Sequence, residues 1–367
     1  MRHACRLDSG NPEFQVSLGE ALPYGASATS HFRTALQLCR CALRKRPNDA
    51  DVYFIMGRTL NHLDDDAGAL AAFRKAIALR PEFAEAYYEL SEQSTRSTKP
   101  GADLLSEEEA LAAMREAVRL KPEHAEYRVV LATSLSLRDD HPGAIAEYRE
   151  AIQLQPDDPE THCHLGLELD AAGNRDGAEA EFREAVRLDP RIGANGYFNR
   201  CEGFIFRGDA KTAISFLRKS VEVYPLTHAW NTLGVIYHLS GNLDKAVESY
   251  REALRTKRSR DFFPTDHIYA HNNLGVAFEE KRDFESALQA LRSALRLDGN
   301  NHTVRANMAV VFEKMGDLRR ALEQYEKVLK NKYSRGCELC RSNYARLSAE
   351  FKLRSARRPR WNVRTRS

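Results

Sequence analysis

The sequence predicts an all-α protein, a solenoid built from stacked helical hairpins, and three observations carry that prediction. Proline closes an apolar, basic stretch at Pro47, Pro81, Pro122, Pro156, Pro190 and Pro225, at intervals of 34, 41, 34, 34 and 35 residues. A fixed period of this size marks a repeat architecture in which each repeat buries its apolar face on the next. Within a period the apolar residues step by three and four, as on one face of a helix. Between the two halves of a period stands Gly173, Gly208, Gly241 or Gly316, where a helix must end on a residue tolerant of left-handed backbone angles.

Taken in chain order, residues 1–30 carry no such period and are expected to be an irregular N-terminal segment. A worn half-repeat follows, marked by Ala35, Ala42 and Pro47. Eight full repeats then start near Ala50, Ala84, Ala125, Pro159, Ala194, Thr227, Ile268 and His302, which sets the repeat region at 31–333. In the first half of a repeat, Tyr53, Met56, Gly57 and Leu60 match His162, Leu165, Gly166 and Leu169, and again Trp230, Leu233, Gly234 and Tyr237. In the second half, Ala69, Phe73, Ala76 and Pro81 match Ala144, Tyr148, Ala151 and Pro156, and again Ala178, Phe182, Ala185 and Pro190. The small residues let paired helices approach closely, and Phe73, Tyr148, Phe182 and Tyr250 are expected to fill the space between repeats. Segments 92–103 and 256–266 carry inserts of about seven residues, the first measured by the 41-residue interval. Ser106 followed by Glu109 reads as a capping box that restarts a helix after the first insert. The last two repeats carry Gly299 and Tyr333 in place of the closing proline. Leu339, Tyr344, Leu347 and Phe351 continue a helical pattern, so 334–355 is expected to be a capping helix and 356–367 a basic disordered tail.

These spacings resemble the tetratricopeptide repeat, whose 34-residue signature runs W-x2-L-G-x2-Y, A-x3-F and Pro. The resemblance covers roughly 50–333. It implies one continuous right-handed superhelix of about eight to nine hairpins with a C-terminal capping helix. It also implies a non-catalytic scaffold that binds partner peptides or proteins in a concave groove lined by the first helix of each repeat, where Asn side chains often hold the target. Here the sixth place of the repeat holds Asn199, Asn273 and Asn307, with Thr232 between them, and Asn231 and Asn272 stand one residue earlier. An amide side chain offers both donor and acceptor to an extended backbone, so these five Asn are the candidate groove residues. In the N-terminal half the same place holds Ile55, Glu89, Val130 and His164, so the row is partial. The clamp that some relatives use for a chaperone carboxyl terminus is absent, the matching places being Phe54, Arg58, Glu89, Glu126 and Val130. Resemblance supplies an alternative: arrays of this kind often stand beside a glycosyltransferase or protein kinase, which would make the chain a substrate-recruiting or regulatory arm.

Composition sets the remaining bounds. At 43% hydrophobic and 29% charged the chain has the make-up of a soluble globular protein. With 55 Lys+Arg against 52 Asp+Glu the net charge is +3, which argues against a chain built throughout to coat nucleic acid. Seven basic residues and no acid fall within 351–367, with Trp361 among them. That tail is a candidate contact for nucleic acid or an anionic surface, although a solvated end is the plainer reading. No run of about 18 apolar residues exists to span a bilayer and the N-terminus lacks a secretory apolar stretch, so a cytoplasmic protein is expected. The seven scattered cysteines are expected to be reduced thiols. No Gly-rich phosphate loop, H-E-x-x-H or G-x-S-x-G is present, so neither catalysis nor a cofactor is expected.

Four smaller signals complete the reading. Cys337-x-x-Cys340 is a metal or redox spacing without a partner pair, read as small residues of the capping helix. His162, Cys163 and His164 point about 100° apart on a helix and cannot share one ion, and His162 is expected to fill the aromatic place of Tyr53 and Trp230. Tyr53, Phe73, Tyr87, Tyr148, Phe182, Trp230, Tyr250 and Tyr325 recur at motif places and are expected to be core. Phe262 and Phe263 lie in the second insert, outside the motif, and are candidate loop contacts.

Overall fold

The structure, a computed structural model, describes residues 11–21, 25–93, 105–256, 264–330 and 337–356. Among the described residues there are 19 α-helices and no strand. Helices α1 (Pro12–Glu20) and α2 (Ala26–Lys45) form a first hairpin. It is followed by α3 (Ala50–Asn61) with α4 (Asp66–Leu79), α5 (Ala84–Ser91) with α6 (Glu107–Leu120), and α7 (Ala125–Ser136) with α8 (His141–Leu154). Next come α9 (Pro159–Ala171) and α10 (Arg175–Leu188), then α11 (Pro190–Phe206) with α12 (Ala210–Val223) and α13 (Thr227–Leu239) with α14 (Leu243–Arg255). The series closes with α15 (Pro264–Glu280) and α16 (Phe284–Leu297), α17 (His302–Lys314) and α18 (Leu318–Lys330), and α19 (Glu338–Ala356), which packs on α18. The chain divides into two compact units, 1–184 and 185–367, the boundary falling inside α10.

In the N-terminal unit residues 12–20, within the segment expected to be irregular, form helix α1. Asn11 caps α1 by accepting from the Glu13 N–H, Pro12 occupies the first helical turn, and Val16 is buried against Ala28, Phe32 and Ala35 of α2. Gly19 lies under the Phe32 ring as Gly57 of α3 lies under the Phe73 ring of α4. The worn half-repeat is therefore half of a complete hairpin. The capping box forms as read: the Ser106 hydroxyl accepts from the Glu109 N–H, and the Glu109 carboxylate accepts from the Ser106 N–H.

Seven of the hairpin turns place one residue in the left-handed region. Gly173, Gly208, Gly241 and Gly316 take it at φ of 83°, 73°, 75° and 80°. Where no glycine is available, Asp64, Asp139 and Arg282 take it instead, at 58°, 59° and 63°. Short polar side chains seal the helix starts, with Asp49, Asp65, Asp140, Asp158, Asp209, Asn242, Asp283 and Asn301 each accepting a backbone N–H in the first turn. Pro190, read as closing one repeat, instead opens α11: Asp189 is the cap and Pro190 the first helical residue, which starts this helix four residues before Ala194. Residues 264–266, at the end of the second insert, form the first turn of α15.

Each hairpin core has one plan. An alanine column (Ala69, Ala144, Ala178, Ala213, Ala246, Ala287, Ala321) is buried with no exposure, and Phe73, Tyr148, Phe182, Leu217, Tyr250, Leu291 and Tyr325 stand four residues on, likewise buried. These large residues do not lie only between repeats. Phe73, Phe182, Tyr250 and Leu291 close over Gly57, Gly166, Gly234 and Gly275 of the preceding helix. Tyr53, Tyr87 and Trp230 are half-buried rather than core. In the C-terminal unit one continuous apolar cluster runs from Ala194 to Leu347, so α19 belongs to that core. Cys337 and Cys340 are joined by a disulfide where reduced thiols were expected, while Cys39, Cys41, Cys163 and Cys201 are not disulfide-bonded. Phe262, Phe263 and the basic residues from Arg357 onward lie outside the described residues.

Candidate functional site

The candidate residues sit on the first helices of successive repeats in the C-terminal unit: α11, α13, α15 and α17. Asn231 (α13), Asn272 and Asn273 (α15) and Asn307 (α17) are half-buried and joined amide to amide. Asn307 Nδ2 donates to Asn272 Oδ1 at 2.8 Å, Asn272 Nδ2 to Asn273 Oδ1 at 3.4 Å, and Asn273 Nδ2 to Asn231 Oδ1 at 3.2 Å. The rule of assembly is simple. The sixth place of one repeat bonds the fifth place of the repeat before it, and only α15, with Asn at both places, carries the chain onward.

Asn199, the fifth candidate, is exposed on α11 and takes no part in this chain. The fifth place of α11 is Phe198, a ring without an amide, and the sixth place of α13 is Thr232. Phe198 packs edge-on against His228 at 4.5 Å, and His228 Nε2 lies 3.1 Å from Asn195 Oδ1, so α11 and α13 meet through a different pair. At the other end the fifth place of α17 is Ala306. The amide row is bounded by an aromatic residue and a methyl group.

Two histidines accompany the row. Burial pushes His271, beside Asn272, down to about 4, helped by the nearby His267 and Arg296. Burial also lowers His228, against the pull of Asp266 and with a smaller push from Arg191. Both imidazoles are therefore neutral near pH 7. One turn beyond the amides stand the half-buried Val235, Val276 and Val310. At the ends of α11 and α13, Phe206 is 92% and Leu239 84% exposed, at equivalent places. The charges lie on the last turns of these helices, where His238 faces Glu280 at 3.1 Å, Glu279 pairs with Lys314, and Glu313 pairs with Arg346 of α19.

Sequence reasoning missed His267, His271 and the valine row. The signal for the histidines was their four-residue spacing on one helix, which places both side chains on one face. In the N-terminal unit the equivalent helices carry charge instead of amides: Arg58 Nη2 donates to Glu20 at 2.6 Å and its Nε lies 3.8 Å from Glu89. His162 is buried between Glu181, at 2.6 Å from Nδ1, and the Pro156 carbonyl, at 3.1 Å from Nε2, while His164, two residues on, is exposed. Among the described residues no group of three or more His, Cys, Asp or Glu is placed to hold a metal ion, and no helix is long and apolar enough to cross a membrane.

Family models described as tetratricopeptide repeat match residues 25–92, 159–192 and 225–300, and one described as TPR repeat matches 138–169. Together they span just over half of the chain. Similar solved structures include YrrB, described as a TPR protein with an unusual peptide-binding site, at 21% identity over 55% of this chain and 97% of that one, with a TM-score of 0.44. Yeast Tom70 is similar at 15% identity over 94% of this chain and 65% of that one, TM-score 0.48. MamA from Desulfovibrio magneticus RS-1 is similar at 19% identity over 48% of this chain and 94% of that one, TM-score 0.39. No curated protein sequence matches.

Proposed function

The chain belongs to the tetratricopeptide repeat family, and we propose that it is a non-catalytic scaffold that holds an extended segment of a partner protein against the first helices of its C-terminal unit. The observation that carries this reading is the connected row of Asn307, Asn272, Asn273 and Asn231. A half-buried amide uses part of its hydrogen-bonding capacity on its neighbour and keeps the rest for a ligand, and amides engage main-chain N–H and C=O groups whatever the side chains. Each such bond contributes about 0.5–1.5 kcal/mol. The neighbouring valines, with Phe206 and Leu239, add apolar contact, and neutral His271 keeps an unpaired charge out of the face. A surface already ordered by stacked helices spares the entropy of arranging it at binding.

The test starts from full-length protein used to capture partners from its source cells, followed by calorimetric titration of the captured partner. A variant with Asn231, Asn272, Asn273 and Asn307 all changed to Ala should bind at least about tenfold more weakly, equivalent to roughly 1.4 kcal/mol, with its melting temperature within a few degrees of the parent. Asn199→Ala should bind as the parent does. Parent-like affinity in the fourfold variant would sink the proposal.

A further inference from the structure

We propose that Cys337 and Cys340 form a thiol–disulfide exchange site whose substrates are low-molecular-weight disulfides and thiols of the glutathione class. The pair is three residues apart, its Cα atoms are 5.3 Å apart, and the two sulfurs are bridged. This Cα separation falls in the range a disulfide spans without backbone movement. Cys337 immediately precedes α19 and acts as its cap, its Sγ accepting from the Cys340 N–H at 3.3 Å. The unsatisfied N–H groups and the positive end of the helix dipole at that position favour a thiolate over a thiol. Glu338, the one acid in the first turn, opposes this from an exposed position where solvent screens it.

The two sulfurs differ in access, which separates their roles. Cys337 is half-buried and open to a small reactant, whereas Cys340 is 5% exposed and belongs to the apolar core with Leu347. In the reduced protein the Cys337 thiolate attacks one sulfur of an external disulfide RSSR. An S–S bond forms between Cys337 and one R group, and RS⁻ leaves with the electron pair of the broken bond. Cys340 then loses its proton and attacks the Cys337 sulfur, the intramolecular bond forms and the second RS⁻ departs. The balance is one dithiol and one RSSR giving one internal disulfide and two RSH, the two thiol protons ending on the leaving thiolates. Reduction by a thiol runs the same steps backward.

The other cysteines provide internal comparison. Burial pushes the Cys39 and Cys201 thiols up to about 12, so they resist ionisation. Cys163 is buried, and Cys41 is exposed on α2 without a disulfide partner. The bridge lies within one turn of α19, and the contacts that dock this helix lie further along it: Asn343 Nδ2 donates to the Tyr325 hydroxyl at 3.2 Å and Arg346 pairs with Glu313. Exchange therefore alters the start of α19 and leaves its docking intact.

The experiment uses the reduced full-length protein, limiting alkylating reagent near pH 6, and peptide mass mapping of every cysteine. Cys337 should be alkylated at least about tenfold faster than exposed Cys41, the advantage expected of a thiol with a lowered pKa. After excess oxidised glutathione, Cys337 and Cys340 should escape alkylation together and return together on reduction, while Cys41 is modified independently. The Cys340→Ser variant, which has no resolving sulfur, should retain glutathione on Cys337. The proposal is overturned if Cys337 reacts no faster than Cys41, if both cysteines stay alkylatable after oxidation, or if wild-type protein carries glutathione on Cys337 as stably as Cys340→Ser does.

Discussion

The Cε1 atom of Phe73 lies 2.5 Å from the point where a Cβ on Gly57 would stand. The ring of one helix thus rests on the bare backbone of its partner, and the same closeness recurs between Gly234 and Tyr250, again at 2.5 Å, and between Gly275 and Leu291, at 2.6 Å. Alanine at such a glycine gains helix propensity of about 1 kcal/mol, yet it forces a large buried side chain out of place, at about 1–3 kcal/mol. Gly57→Ala and Gly234→Ala should therefore each lower stability in urea unfolding by up to about 2 kcal/mol. Equal or higher stability would show that the rings have room to move.

The opposite sign is expected at Arg282. This residue holds φ at 63°, a conformation that costs an L side chain about 1–2 kcal/mol. Glycine removes that strain and gives part of the gain back through its freer unfolded chain. Arg282→Gly should stabilise by about 0.5–1 kcal/mol, and Gly241→Ala, at φ 75°, should destabilise by about 1 kcal/mol. Paired denaturation curves check both.

Phe182 has no exposed surface and lies over Gly166. Phe182→Ala leaves a cavity in a hairpin core, so the loss should reach about 3–5 kcal/mol. A melting curve superimposable on that of the parent would mean that the site collapses without penalty.

His271 gives the pH dependence a definite sign. Its folded pKa is depressed to about 4 from 6.5, so between these values the unfolded chain binds the extra proton. The stability this group contributes is present above pH 6.5 and is lost as pH falls toward 4. In urea midpoints measured from pH 7.5 down to pH 4.5, His271→Gln should lose less stability than the parent does. Parallel curves for the two proteins would place the acid sensitivity elsewhere.

The fold was legible wherever a residue type has a single steric role. Prolines set the period, glycines marked the left-handed turns, and Ala69, Phe73 and their equivalents marked the buried face. What escaped was structure built from unmarked residues. Helix α1 has no proline period, and only Gly19 and Phe32 repeat the Gly57–Phe73 relationship. Pro190 was misread because proline suits the residue after a helix and the first turn of the next one equally well. In the candidate site, four of the five asparagines meet and Asn199 does not. Counting a single column treats every sixth place alike, whereas the contact runs from the sixth place to the fifth place of the preceding repeat, and Phe198 interrupts it. The disulfide was hidden because C-x-x-C spacing alone does not say whether both sulfurs face the same side of a helix start.

The amide row also has a sense of direction. Both of its contacts between helices donate toward the lower-numbered helix, from Asn307 to Asn272 and from Asn273 to Asn231. At the α17 end the Asn307 oxygen is left outside the chain of bonds, and at the α13 end the Asn231 NH2 group is. A peptide strand is itself a vector, since its N–H and C=O groups reverse their order when the strand is turned end for end. The two orientations of one sequence therefore meet different partners on this face, and a peptide and its reversed-sequence counterpart, equal in composition and charge, should not bind equally.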